Sequence, residues 1–183
     1  DLAMGLLRTF EGIRGLATAS VAELRGVKGM GQAKTSQLKA AIELGKRMVS
    51  TPLGKRKKVT CSRDIYKVYQ HYSPFFCDLK KEIFKIVLLD GKHQILGDSL
   101  ISQGSLTASI VHPREVFTPA IRNSAAAILL LHNHPSGDPS PSSEDIEITQ
   151  RLISAGDILG IKVLDHIILG DGTYFSFVDK GLL

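Results

Sequence analysis

His132-Asn133-His134 closes the most apolar run of the chain, Ala126 to His134, and Asp145 follows eleven residues later. If that run is a strand, alternate side chains face opposite ways. Both imidazoles then point to one side and Asn133 to the other. Two neutral nitrogens beside one carboxylate, with a fourth position left for water, form a catalytic zinc arrangement rather than a closed structural one. We therefore expect His132, His134 and Asp145 to hold Zn2+. The competing interpretation is polar residues where a strand emerges. Zinc deaminases need His-x-Glu followed by Pro-Cys-x-x-Cys. Here His134 stands at the Glu position and the cysteines are Cys61 and Cys77, so deamination is excluded. A nuclease using two metals would show a carboxylate-rich site, and a single His-His-Asp set argues against one.

The wider spacing is His132-x-His134-Pro135, six residues, Ser142, two residues, Asp145, which fixes five positions over fourteen residues. It resembles the JAMM motif of the MPN-domain metalloproteases, which cleave peptide or isopeptide bonds. The run His-Asn-His-Pro-Ser-Gly-Asp-Pro-Ser-Pro-Ser from His132 to Ser142 is similar to the bacterial RadC family in particular, as is Gly170-Asp171-Gly172-Thr173-Tyr174-Phe175-Ser176-Phe177. The resemblance implies an MPN fold, layered like cytidine deaminases, and a peptide or protein substrate; the alternative is a DNA-binding accessory or repair-associated protein whose metal site is structural or idle. It also implies a glutamate at the start of an upstream strand that takes a proton from the zinc-bound water. Glu82, in Lys80-Lys81-Glu82-Ile83-Phe84, occupies the matching place. Glu115 is the alternative, but its place two residues after Pro113 suits pairing with a helix dipole. Ser142 corresponds to the family's oxyanion-stabilising serine. A hydroxyl there can donate to charge growing on a carbonyl, or it can simply cap a helix. Many MPN proteases have Ser or Thr between the histidines; Asn133 departs from that. His166 reads as a structural or supporting histidine rather than a ligand, and His71, His93 and His112 receive no role.

The elements that must position these groups alternate strand and helix. A helix is expected over Asp64–Tyr72. Strands are expected at Ile83–Leu89 and Gln94–Ile101 around the Asp90-Gly91 turn, and at Leu106–Val111. Pro113 suits the first turn of a helix. Ala126–His134, apolar throughout, belongs at the centre of a sheet. Pro135–Pro141 is a loop, Ser142–Leu159 an amphipathic helix, and Ile161–Leu169 and Thr173–Phe177 closing strands. The fold class is α/β: a mixed sheet with flanking helices over residues 59–183, preceded by a small all-α domain at residues 1–50.

That first part has its own character. The chain carries net +5, but residues 1–58 hold 12 Lys/Arg against 4 Asp/Glu, and residues 59–183 hold 11 against 14. A split of +8 and −3 suggests a polyanion-binding module joined to something else. Ser20-Val21-Ala22-Glu23 has capping-box spacing, and a helix is expected over Gln32–Met48 after one at Leu2–Phe10. Between them, Val27-Lys28-Gly29-Met30-Gly31-Gln32-Ala33-Lys34 resembles a helix-hairpin-helix DNA-binding motif. Glycines let backbone approach a phosphate closely, and the next helix N-terminus offers free N–H groups. Lys28, Gly29, Gly31 and Lys34 are the candidate contacts, and DNA the expected partner, bound weakly and without base specificity. An ordinary helical hairpin for protein contact is the alternative. Residues 51–58, with four adjacent cations at Lys55–Lys58, read as a basic linker or as added nucleic-acid contact. No apolar run is long enough for a membrane helix. Two cysteines without CxxC spacing suit a reducing cytoplasm. The start at Asp1 suggests a fragment whose N-terminal segment is missing.

Overall fold

A computed structural model describes residues 1–50, 58–76, 79–104 and 111–183. The expected linker (all but Lys58), the expected strand at Leu106–Val111 (all but its last residue) and Cys77 lie outside the described residues. The chain divides into two compact units, Asp1–Ser50 and Thr51–Leu183.

The first unit is helical: α1 (Leu2–Thr9), α2 (Ile13–Thr18), α3 (Val21–Gly26) and α4 (Gln32–Val49). Its core is Leu6, Ala19, Leu24 and Met30, with Leu2, Leu16, Val27 and Leu38 packed against them. The Ser20–Glu23 capping box forms in full. α2 was absent from the sequence reading. Its six residues include a glycine and carry no side-chain cap, so no local signal marks it. Lys39 Nζ donates to the carbonyls of Ala17 and Ala19, tying α4 to the end of α2.

The second unit runs α5 (Ser62–Phe76), β1 (Glu82–Leu89), β2 (Ile95–Gly104), α6 (Pro113–Arg122), β3 (Ala127–Asn133), α7 (Ser143–Leu159), β4 (Lys162–Leu169) and β5 (Tyr174–Ser176). α5 extends four residues past the expected end at Tyr72 and carries Pro74 within it. The strands form one mixed sheet in the order β2-β1-β3-β4-β5. Among the described residues only β3 and β4 pair in parallel, and α7 is their crossover. β3 lies at the centre with every residue buried.

Strand alternation sorts the core into two layers. Phe84, Ile86, Leu88, Ile128 and Leu130 face Val116, Phe117 and Ala120 of α6 and Ile148 and Leu152 of α7. Val87, Leu89, Leu129, Leu131, Ile167 and Leu169 face Ile65, Val68, Tyr69, Tyr72 and Phe76 of α5. Each such buried side chain contributes roughly 1.5–3 kcal/mol. His132 continues the Ile128–Leu130 series, so it emerges on the α7 side, where the helix begins.

Candidate metal centre

β3 carries His132 toward α7, the next residue but one is His134, and Asp145 lies in the first turn of α7. The three converge. His132 Nε2 is 3.2 Å from Asp145 Oδ1, His134 Nε2 is 3.3 Å from Oδ2, and the two Nε2 atoms are 3.0 Å apart. Among the described residues they form the group of His, Cys, Asp or Glu side chains whose ligand atoms meet, all within 4.8 Å. His132 is fully buried, Asp145 nearly so, and 14% of the His134 side chain reaches solvent, which leaves one open side.

Hydrogen bonds behind the site decide where the ring protons are. Thr149 Oγ1 donates to the Asp145 carbonyl at 2.6 Å and so has no proton left for His166. His166 Nδ1–H therefore donates to Thr149 Oγ1, also at 2.6 Å. Burial pushes the His166 imidazole well below its ordinary value, so it stays neutral and its Nε2 carries a lone pair. That lone pair accepts from His132 Nδ1–H at 2.8 Å. His134 Nδ1–H donates to the Asp138 carbonyl at 2.8 Å. Both ligand rings thus turn an Nε2 lone pair toward Asp145.

Electrostatics completes the picture. Burial holds the His132 imidazole below its ordinary value. Burial alone would raise the Asp145 carboxyl, but donation from the two imidazoles when protonated, and from Ser142, holds it well below the usual carboxylate range. A second proton taken up at His134 Nε2 would donate to Asp145, and that bond raises His134 despite its partial burial. The Glu82 carboxylate also favours positive charge on both rings. An ionised carboxylate facing two nitrogen lone pairs at about 3 Å is repulsive without a cation between them. The residues present therefore fit a metal ion, and two imidazoles with one carboxylate suit zinc chemistry.

Glu82 opens β1, two residues before Phe84, which pairs with His132. By alternation it faces the same side as both histidines. Ser142 caps α7: its Oγ accepts from the Asp145 N–H at 3.1 Å, and Asp145 Oδ2 accepts from the Ser142 N–H at 2.8 Å and hydroxyl at 2.7 Å. The Ser-x-x-Asp half of the motif is thus also a capping box. In this arrangement the Ser142 hydroxyl proton is committed to Asp145. Glu115 lies in the first turn of α6, paired with Arg114 at 3.1 Å. His112 caps that helix.

The loop after His134 is held by the turn after β4. A Cβ on Gly170 would lie 2.5 Å from the Gly137 carbonyl oxygen, so only glycine permits the approach. The Asp171 N–H then donates to that oxygen at 2.8 Å. Sequence reasoning missed two contributors. Thr149 is four residues past Asp145, on the same helix face, and that spacing was the available signal. Asn133 was placed correctly as facing away from the ligands, but its own partners were not foreseen: the Ile83 amide and the Lys81 carbonyl.

In the first unit, Gly29 has φ +92° and joins α3 to α4, while Gly31 caps α4 with no side-chain bond. Lys28 and Lys34 are exposed, and Lys34 Nζ donates to the Gly29 carbonyl at 3.1 Å.

The profile of the RadC-like JAB domain matches residues 59–182. The chain belongs to the RadC family. Its whole length is 53% identical to a UPF0758 protein of Trichlorobacter lovleyi and 54% identical to one of Geobacter sulfurreducens, covering 79% of each. A UPF0758 protein of Geotalea uraniireducens is 51% identical over the same shares. The metal group falls inside the matched domain. No helix among the described residues is long and apolar enough to cross a membrane.

Proposed function

We propose that this RadC-family chain is a zinc-dependent hydrolase of the JAMM type. It cleaves a peptide or isopeptide bond in the cytoplasm and carries a separate unit that binds DNA weakly and without sequence preference. The observation that supports the hydrolase reading is the lone-pair geometry of His132, His134 and Asp145, with no fourth His, Cys, Asp or Glu joining them among the described residues. Structural zinc sites are closed by four protein ligands; an open one leaves room for water and substrate.

When bound there, zinc supplies Lewis acidity, bringing the pKa of water toward ~7 and drawing electrons from a carbonyl. The residues of the chain do the rest. His132 and His134 present Nε2, and Asp145 its carboxylate, to hold the ion. Glu82 accepts a proton from the attacking water as its oxygen bonds to the carbonyl carbon. The carbon–nitrogen bond breaks, and Glu82 returns the proton to the departing nitrogen. Ser142 steadies the carbonyl oxygen once its hydroxyl turns away from Asp145.

The test is Glu82→Gln on the zinc-loaded chain, assayed with a panel of peptides and isopeptides. We expect zinc and fold retained and cleavage lost. Cleavage surviving in Glu82→Gln but abolished in Glu115→Gln would exchange the two roles. For the DNA unit, Lys28, Gly29, Gly31 and Lys34 are the proposed phosphate contacts, with the exposed glycine backbone and uncapped α4 N-terminus as support. Binding to duplex of any sequence should weaken steeply with salt. Changing Lys55–Lys58 to Ser is the control, because a basic tether alone also gives salt-sensitive binding.

A further inference from the structure

The ladder between β1 and β3 ends at the pair Phe84–His132, just short of Glu82. On its other edge β1 stays paired with β2 through Ile83–Gln103 and Glu82–Gly104, so it is the β3-facing edge that a side chain takes over. Asn133 is the next residue of β3, 2% exposed, on the sheet face opposite the metal ligands. Its Oδ1 accepts from the Ile83 N–H at 2.8 Å and its Nδ2 donates to the Lys81 carbonyl at 3.3 Å. The Lys81 carbonyl belongs to the peptide group before Glu82, and the Ile83 N–H to the one after it. One side-chain amide therefore grips both peptide planes that flank the Glu82 Cα. It offers a donor and an acceptor in one plane, as a backbone ladder partner would. Fixing both planes fixes the direction in which the Glu82 side chain leaves the strand. Leu lacks both polar groups, and ionised Asp keeps the acceptor but loses the donor.

We propose that Asn133 is a positioning residue for Glu82: its amide clamps residues 81–83 from behind the sheet and sets the carboxylate toward His132 and His134. This rests on the reading of Glu82 as the base.

The experiment compares the full chain with Asn133→Leu, Asn133→Asp and Glu82→Gln. Amide hydrogen exchange is read on metal-free protein. The visible spectrum across pH is read on protein loaded with cobalt(II), a coloured substitute for zinc. In Asn133→Leu the Ile83 amide should exchange at least about tenfold faster while Ile86 and Leu130 keep their protection, because one hydrogen bond is lost locally. One metal per chain should still bind. Glu82→Gln should move the midpoint of the cobalt spectrum. Asn133→Leu should move it the same way, and the double variant no further than Glu82→Gln alone. Asn133→Asp should keep Ile83 protected and move the spectrum partway; should Asn133→Leu fail to fold, this variant carries the test. An unchanged Ile83 exchange rate in Asn133→Leu overturns the clamp. Faster exchange with a wild-type spectrum makes Asn133 merely structural and also overturns the proposal. If Glu82→Gln itself leaves the spectrum and cleavage unchanged, the base reading fails and takes the proposal with it, an outcome distinct from failure of the clamp alone.

Discussion

Among the described residues of the second unit two carboxylates are buried, on opposite faces of the sheet, and their surroundings differ in kind. Asp165 is met by donors: the Ser176 hydroxyl at 2.6 Å and the N–H groups of His166 and Val178 at 2.7 and 3.1 Å. Burial still raises its pKa, because those bonds only partly offset desolvation. Asp145 is met by the Ser142 N–H and hydroxyl but also by two imidazole nitrogens whose ring protons are used elsewhere. Burial alone therefore marks neither group as functional. The difference is whether the neighbours complete the carboxylate or leave it needing a positive centre. Asp165 is complete and knits β4 to the C-terminal turn, whereas the atoms around Asp145 suit a metal ion.

The contrast breaks first under paired substitution. Asp145→Ala should lower zinc affinity by about a thousandfold or more, because a first-coordination ligand is lost. Its metal-free form should lose only about 1 kcal/mol from the broken capping box. Asp165→Ala should do the reverse. The Ser176 hydroxyl and the N–H groups of His166 and Val178 then lose their acceptor, costing about 1–3 kcal/mol of stability in chemical denaturation, with zinc affinity nearly unchanged. Equal zinc affinities in the two variants would erase the distinction.

A smaller effect sharpens the Asp145 side. Thr149→Val keeps the shape but removes the acceptor for His166 Nδ1–H, loosening the relay that fixes the His132 tautomer. Zinc affinity should fall about 10–100-fold, the usual consequence of losing a supporting partner. Nitrogen NMR of the imidazoles should show His132 leaving the Nδ1–H form.

Acidity gives a further handle. His134 is raised above its ordinary value by Asp145, and it must be neutral to ligate. Protons therefore compete with zinc as the pH falls through that raised value, with about tenfold lost per unit for each proton displaced. Affinity should be flat above it. Asp145, held far below the usual range, contributes no competition there.

The parts legible in sequence were those whose physics is local. Strand alternation put His132 and His134 on one face, and the apolar run put β3 at the centre. Ser142 to Asp145 spacing announced a helix start, and that start brings Asp145 beside the two histidines. What escaped depends on register between distant strands. The Asn133 clamp spans 50 residues and the His132–His166 contact 34. No spacing rule carries such information until β1 and β4 are laid against β3. α2 escaped for the opposite reason: it is too short to have a period.

The smallest expected effect concerns the first unit. Gly31 has an ordinary negative φ of −82°, and a Cβ there would meet nothing within 4 Å. Gly31→Val should cost little stability, yet its side chain stands where backbone would meet phosphate, so DNA affinity should drop about three- to tenfold. Gly29, at φ +92°, is strained by any side chain and is the poorer probe.

The most direct test of the metal assignment is zinc content by elemental analysis on wild type, His134→Ala and Asp145→Ala, each purified with zinc present and then dialysed, with circular dichroism verifying the fold. The expected result is about one zinc per chain in wild type and little in either folded variant. Full zinc in both variants, or none in wild type, would contradict it.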